Sequence, residues 1–493
     1  MRGGAVAGGS PITVEAGLHA LRLGGNAIDA AVAAQLMACV AEPALTGLGG
    51  SGIATIRVGG EVLVCDLFSD FPRRGPPLKP MWECPVHFGP TTQMFHSGPG
   101  AVAVPGVPGG LWAMHERFGR VPMPLLAAPA AAAARAGVTM LSTHAIVFRV
   151  LHKVLSSTPE IAALLCPNGA PLTAGELYRN PDLANTLERF AAEGPEPFYR
   201  GDIARALLET LGDEGNLSLD DLAGWRPQLR PALALRYRDA TVFMPGPPSQ
   251  GGVLTLRALR ELERAGPLPE PDTAAHVRRL AEAMSAAEQA KESPWPEALF
   301  SEGLVTRYVG PGLTTHISTV DAEGDAVAIT TSLGETAGVV VKGTGVILNN
   351  LLGEADVNPP DYPRPPGARL MTMCTPTLVD SPRGRFALGT GGSSRIRSAL
   401  LHGVVHLIDH GRSPAAATGA PRCHMEGGEL AIELADRPEH TEAALREVFP
   451  NLVPFGERAL YFGGLHIAAR TAEGFAGAGD PRRSGSFGLL SMS

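Results

Sequence analysis

Thr314, Thr315 and His316 open a run continued by Ile317, Ser318, Thr319 and Val320, whose alternation reads as a β-strand. Residues 321–325 are turn formers and residues 326–331 form a second β-rich run, so the unit reads as a hairpin. Just before it, Val309, Gly310, Pro311, Gly312 and Leu313 hold nothing that would continue as strand. A strand starting abruptly after Gly-Pro-Gly with Thr-Thr-His at its head suggests a chain cut between Leu313 and Thr314. Cleavage there would leave Thr314 with a free α-amine beside its own hydroxyl. A threonine hydroxyl is a weak nucleophile at neutral pH and needs a base within reach. An α-amine titrates at about 7.7 to 8.0, so part of it is neutral and can take the proton. One residue would then supply nucleophile and base. On these residues alone, a plain threonine-rich strand is the competing reading.

The flanking sequence bears on that choice. Val346, Ile347, Leu348, Asn349 and Asn350 follow the hairpin, and Gly389, Thr390, Gly391, Gly392, Ser393, Ser394, Arg395 and Ile396 follow later. Near the start, Gly24, Gly25, Asn26, Ala27, Asp29, Ala30 and Ala31 lead into a glycine-rich loop, and Val104, Pro105 and Gly106 form a further landmark. In order and spacing these segments resemble the γ-glutamyltranspeptidase family, N-terminal-nucleophile hydrolases that cut themselves before a Thr-Thr-His motif. The likeness runs from about Val14 to Asp480, Pro481 and Arg482.

The resemblance implies a four-layer αββα fold with two stacked, mainly antiparallel sheets. It also implies a precursor split into a large-subunit region (1–313) and a small-subunit region (314–493) within one intertwined domain. By position, Thr314 and Thr315 are catalytic. Ser332, 18 residues on, stands where relatives carry a threonine whose hydroxyl bonds the nucleophile. The backbone N–H groups of Gly392 and Ser393 would face the oxyanion, where losing one donor typically costs about 2.7 to 4 kcal/mol.

The substrate-binding positions depart from the family pattern. Ser69 stands where relatives have the arginine that grips the glutamyl α-carboxylate, and Gly334 replaces an asparagine. Leu351 replaces a glutamine, and Glu354 keeps an acidic group one methylene longer than the usual aspartate. Thr372 and Met373 replace a serine pair, and only the first can donate. Without a bidentate guanidinium, carboxylate recognition weakens.

Composition narrows the classes. The chain has 493 residues, 44 % hydrophobic and 18 % charged, enough for a large core, and its net charge of −8 with no basic cluster gives nucleic acid or membrane binding no support. Six scattered cysteines lack any Cys-x-x-Cys pair and read as small buried hydrophobes. Gly47, Gly49 and Gly52 spell a dinucleotide-binding pattern, but a helix precedes it and a strand follows, the reverse of what that fingerprint needs. His402, His406 and His410, at i, i+4 and i+8, read as a packed helix face rather than a metal site. Neither metal nor cofactor is expected. Residues 1–10 show no leader-like apolar segment, so a cytoplasmic location is expected.

The sequence thus points to a self-processing amidase acting on a small-molecule amide or peptide through a threonine acyl-enzyme, with water the favoured acceptor. Family membership implies a γ-glutamyl donor. The altered binding positions favour an acylase for a non-glutamyl amide, and an uncleaved, silent binding homologue is the third reading. A homodimer of the processed unit is a further expectation.

Overall fold

The computed structural model describes residues 3–88, 91–289, 313–359 and 364–491. The chain opens with β1 (Gly4–Gly8), helices α1 (Pro11–Arg22) and α2 (Ala27–Ala41), and strands β2 (Ser51–Val58) and β3 (Glu61–Leu67). After a largely helical stretch come β4 (Gln228–Pro231), β5 (Leu233–Tyr237), β6 (Ala240–Met244), α3 (Gln250–Ala265) and α4 (Ala274–Gln289). Then follow β7 (Thr315–Asp321), β8 (Ala326–Ser332), β9 (Thr377–Ser381), β10 (Gly384–Gly389) and α5 (Arg395–Ile408). Strands β11 (His466–Thr471), β12 (Gly474–Ala478) and β13 (Ser486–Leu490) close it.

Seven strands form one sheet in the order β13-β1-β7-β8-β2-β3-β4, and six form another in the order β12-β11-β10-β9-β6-β5. All neighbouring pairs in both sheets are antiparallel. Small side chains let the two sheets meet: Ala5, Ala7, Ala326 and Ala328 of the first share a buried cluster with Leu378, Ala387 and Ala468 of the second. The outer face of the first sheet packs under α1 and α2, with Ile317, Val327 and Ile329 in one core with Val14, Ile28 and Val32. The outer face of the second packs under α3, α4 and α5. Helix, sheet, sheet and helix are therefore stacked, as expected. Each sheet takes strands from both sides of residue 314, so the two regions are parts of one body.

Local sequence explains the elements nearest the site. Ser10 caps α1 by accepting from Thr13 N, and Asn26 with Asp29 forms a capping box at α2. Every residue of α2 is buried, which its run of alanines allows by letting neighbours come close. The loop from Gly47 to Gly52 lies between α2 and β2, and its glycines serve backbone contact, since a Cβ at Gly50 would press on the Ser332 carbonyl oxygen. Residues 309–312, just before the expected cut, lie outside the described residues. No helix among the described residues is long and apolar enough to cross a membrane.

Candidate active site

The β7–β8 hairpin sets the first contacts. Its register pairs Thr315 with Thr331, which brings Thr314, one residue before the strand, opposite Ser332 at the end of β8. Thr314 Oγ1 donates to Ser332 Oγ at 3.4 Å, and Ser332 Oγ donates to the carbonyl oxygen of Leu313 at 2.7 Å. The Ser332 hydroxyl also accepts from Gly334 N at 2.8 Å. Both Leu313 and Thr314 are buried. The spacing of 18 residues is thus the length of a hairpin folded back on itself.

Thr315 and His316 do different work. Thr315 Oγ1 donates to a carboxylate oxygen of Glu42, at the C-terminal end of α2, and the other oxygen of Glu42 accepts from Thr13 Oγ1 at 3.0 Å. Burial pushes the Glu42 carboxyl up to about 7, against the pull of these two hydroxyls and of Arg483. His316 places one ring nitrogen on Thr330 Oγ1 and the other on Ser318 Oγ, each at 2.8 Å, and fills the space left by Gly389. Burial holds its basicity well below the ordinary range, so the ring is a neutral structural member.

The loop from Gly391 to Ser394 runs from β10 into the N-terminus of α5. Gly391 lies against the Thr314 backbone so closely that a Cβ would overlap its carbonyl oxygen. Gly392 has φ +138° and Ser393 φ +50°, so the loop turns sharply beside Thr314 as it enters a 14-residue helix at its positive end. Ser393 Oγ donates to Asp356 at 2.7 Å, and Ser394 Oγ to Glu426 at 2.8 Å.

In front of Thr314 a small cavity is lined by Ser332, Leu351, Glu354, Thr372, Met373 and Ser393, with Phe68, Val357 and Ile396 closing it. Glu354 is 9 % exposed and its Oε1 has no hydrogen-bond partner. Burial beside Glu335 and Asp356 holds its carboxyl well above the usual range. Thr372 Oγ1 accepts from Cys374 N at 3.0 Å. No basic residue lines this cavity among the described residues.

Two expected substrate contacts differ from the expectation. Ser69 is fully buried and off the cavity: its hydroxyl meets Ser51 Oγ at 2.6 Å and Val104 O at 2.7 Å, so it braces two strands' ends and cannot touch a substrate. The nearby Arg369 does not replace the missing guanidinium, being engaged with Asp66, Asp70 and the Phe68 and Arg226 carbonyls. Gly334 has no room for the family's asparagine, because the Glu354 carboxylate and the Asn350 side chain occupy the place of a Cβ. Sequence reasoning overlooked Glu42 and Asp356. A carboxylate closing an alanine-rich helix whose other acid, Asp29, sits in the first turn was the available signal for Glu42, since it faces the negative end of the helix dipole.

The gamma-glutamyltranspeptidase family model matches residues 13–295 and 293–489. The chain belongs to the γ-glutamyltranspeptidase family. It is an enzyme of the N-terminal-nucleophile hydrolase type. The Acylase ACY 1 proenzyme of Pseudomonas sp. (strain V22) is 34 % identical over 484 residues, covering 90 % of this chain and 86 % of that protein. The glutathione hydrolase proenzyme of Pseudomonas aeruginosa is 29 % identical over 483 residues, covering 86 % and 83 %. Among solved structures, cephalosporin acylase from Bacillus halodurans superimposes with a TM-score of 0.83 at 26 % identity, covering 99 % of this chain and 96 % of that one. Within the γ-glutamyltranspeptidase family, then, both acylases and glutathione hydrolases resemble this chain.

Proposed function

We propose that this protein is a self-processing acylase that splits itself before Thr314 and then cleaves amides whose acyl group lacks the γ-glutamyl α-carboxylate. In the processed enzyme the Thr314 hydroxyl attacks the amide carbonyl while its own α-amine takes the proton. The oxyanion is held by the N–H groups of Gly392 and Ser393 at the start of α5, and the amine departs with a proton. Water then attacks the acyl ester and regenerates the hydroxyl. Ser332 orients Thr314 through its hydroxyl.

The observation that carries the acyl preference is the front cavity. Among the described residues it offers Phe68, Leu351, Val357, Met373 and Ile396 to an acyl chain, two carboxyl groups and no positive charge, with Arg369 tied elsewhere. A substrate carboxylate would lose its hydration there without gaining a partner. The similarity to the Pseudomonas acylase supports the same reading.

The test is electrophoresis of the purified protein followed by hydrolysis of two anilides. Fragments of 313 and 180 residues are expected, with kcat/KM for an aliphatic acyl anilide at least about tenfold above that for the γ-glutamyl anilide. The reverse ratio would assign a γ-glutamyl donor, with Glu354 and Thr372 as its remaining contacts. A single full-length band without activity would mark a silent binding homologue.

A further inference from the structure

The processed enzyme owns a base that the precursor lacks. Before the cut, the nitrogen of Thr314 is an amide whose lone pair is delocalised into the Leu313 carbonyl, so it cannot take a proton from Oγ1. Ser332 bonds both Thr314 Oγ1 and Leu313 O, but a neutral hydroxyl can pass a proton and not keep one. Self-cleavage therefore needs a separate acceptor near Thr314.

Among the described residues, two cavities touch Thr314. In the front one, burial beside Glu335 and Asp356 raises Glu354 well above the usual carboxylate range, which favours its protonated form, and Asp356 is bonded to Ser393. The rear one, about 20 Å³, has room for roughly one water. Its titratable lining is Glu42, His144, His316, His466 and Arg483. His316 has both nitrogens engaged, His466 Nδ1 accepts from Asp480 N at 3.2 Å, and burial makes His144 and His466 weak bases at about 4. Arg483 is a cation. Glu42 is left.

Resting on the reading that the chain is cut before Thr314, we propose that Glu42 is the proton acceptor for self-cleavage: the Thr314 hydroxyl turns from Ser332 toward the rear cavity, which Thr314 and Glu42 both line, and passes its proton to Glu42 across one water. The Thr314 oxygen then bonds the Leu313 carbonyl carbon, and the negative charge on Leu313 O is met by the Ser332 hydroxyl. Glu42 returns the proton to the Thr314 nitrogen as the C–N bond breaks, leaving an ester between Leu313 and the Thr314 side chain. Water hydrolyses that ester, giving a Leu313 carboxylate and a Thr314 with free amine and hydroxyl. Atoms and charge balance without a further reactant.

The surroundings suit this role. Thr13 from α1 and Thr315 from β7 fix the two carboxylate oxygens, Gly9 closes over the group, and Arg483 from the C-terminal segment draws its pKa down against burial. Cys39, one turn earlier on α2, is itself pushed up to about 12 and stays a neutral thiol. A glutamine would accept from one of the two threonine hydroxyls and, with the other turned to accept, donate to it, without burying a charge at a helix C-terminus, so the acid is not required for packing. Glu42 acts through water and is a positioning residue for the proton rather than a group touching the reacting bond.

Precursor made by cell-free synthesis tests this, with conversion to the two fragments followed over time from about pH 5.5 to 8.5. The wild-type rate is expected to rise through a midpoint near neutrality as Glu42 ionises. Glu42→Gln should slow conversion by about 10²-fold or more and abolish the midpoint, while Glu42→Asp keeps a midpoint at a lower rate. Circular dichroism checks that each variant folds. Should Glu42→Gln not fold, a wild-type rate independent of pH across this range overturns the proposal. Wild type and Glu42→Gln converting at like rates overturns it while leaving the cut before Thr314 intact. A wild-type chain that never converts overturns the reading beneath it as well.

Discussion

The hydroxyl of Ser332 donates to the carbonyl oxygen of Leu313 at 2.7 Å while accepting from Thr314 Oγ1 at 3.4 Å. One side chain thus spans both ends of the bond to be cut, held there by the hairpin register. Ser332→Ala removes the donor to the developing oxyanion and the partner of the nucleophile together. Self-cleavage is expected to slow by about 10²- to 10³-fold, the usual loss for an oxyanion donor. Ser332→Thr keeps the hydroxyl and should stay within about tenfold of wild type, since little beyond rotamer freedom changes. Densitometry of the precursor band against time reads both, and equal rates for Ser332→Ala and wild type would remove Ser332 from the process.

Gly334 bears on donor choice. Its φ of +68° and the Glu354 carboxylate standing where a Cβ would go mean that restoring the family's asparagine does not restore its function. Gly334→Asn must displace Glu354 or Asn350, so thermal stability should fall by about 1 to 3 kcal/mol, the range for overpacking. Activity on both anilides should fall with it. A gain on the γ-glutamyl anilide alone would show that the cavity can readmit that group.

Much of this was legible in the sequence because it depends on local rules. The Asn26–Asp29 capping box, the Gly59-Gly60 hairpin between β2 and β3, and the β7–β8 hairpin each lie within a short span where residue type decides conformation. The burial of all six cysteines, none paired, follows from their apolar neighbours. The misplacement of Ser69 has another origin. Its position was right, but whether a strand-end side chain turns to the pocket or to Ser51 and Val104 depends on loops 18 and 35 residues away. Glu42 was hidden similarly: it meets Thr315 across 273 residues, a distance at which no sequence period operates.

The histidine face supplies a prediction about acid. His406 on α5 and His410 just beyond it pack against His276 of α4, with ring centroids 5.9 Å and 4.9 Å away, and His402 stacks on His406. Both ring nitrogens of His406 lack a hydrogen-bond partner, and burial with the neighbouring histidines and Arg412 holds it well below the ordinary range; His276 falls to about 3. A folded-state pKa lowered beneath the unfolded value of about 6.5 gives stability that is fully present above pH 6.5 and is lost as pH falls toward the folded value. Each such ring removes up to about 1.4 kcal/mol per pH unit within that window. His406→Leu replaces an unsatisfied ring by an apolar group of similar size, so stability at pH 7.5 should hold or rise. At about pH 5 the variant should lose less of its melting temperature than wild type, because one proton-binding group has left the unfolded state. Thermal unfolding at the two pH values measures the difference, and an acid loss equal to that of wild type would mean that His406 is protonated in the folded protein.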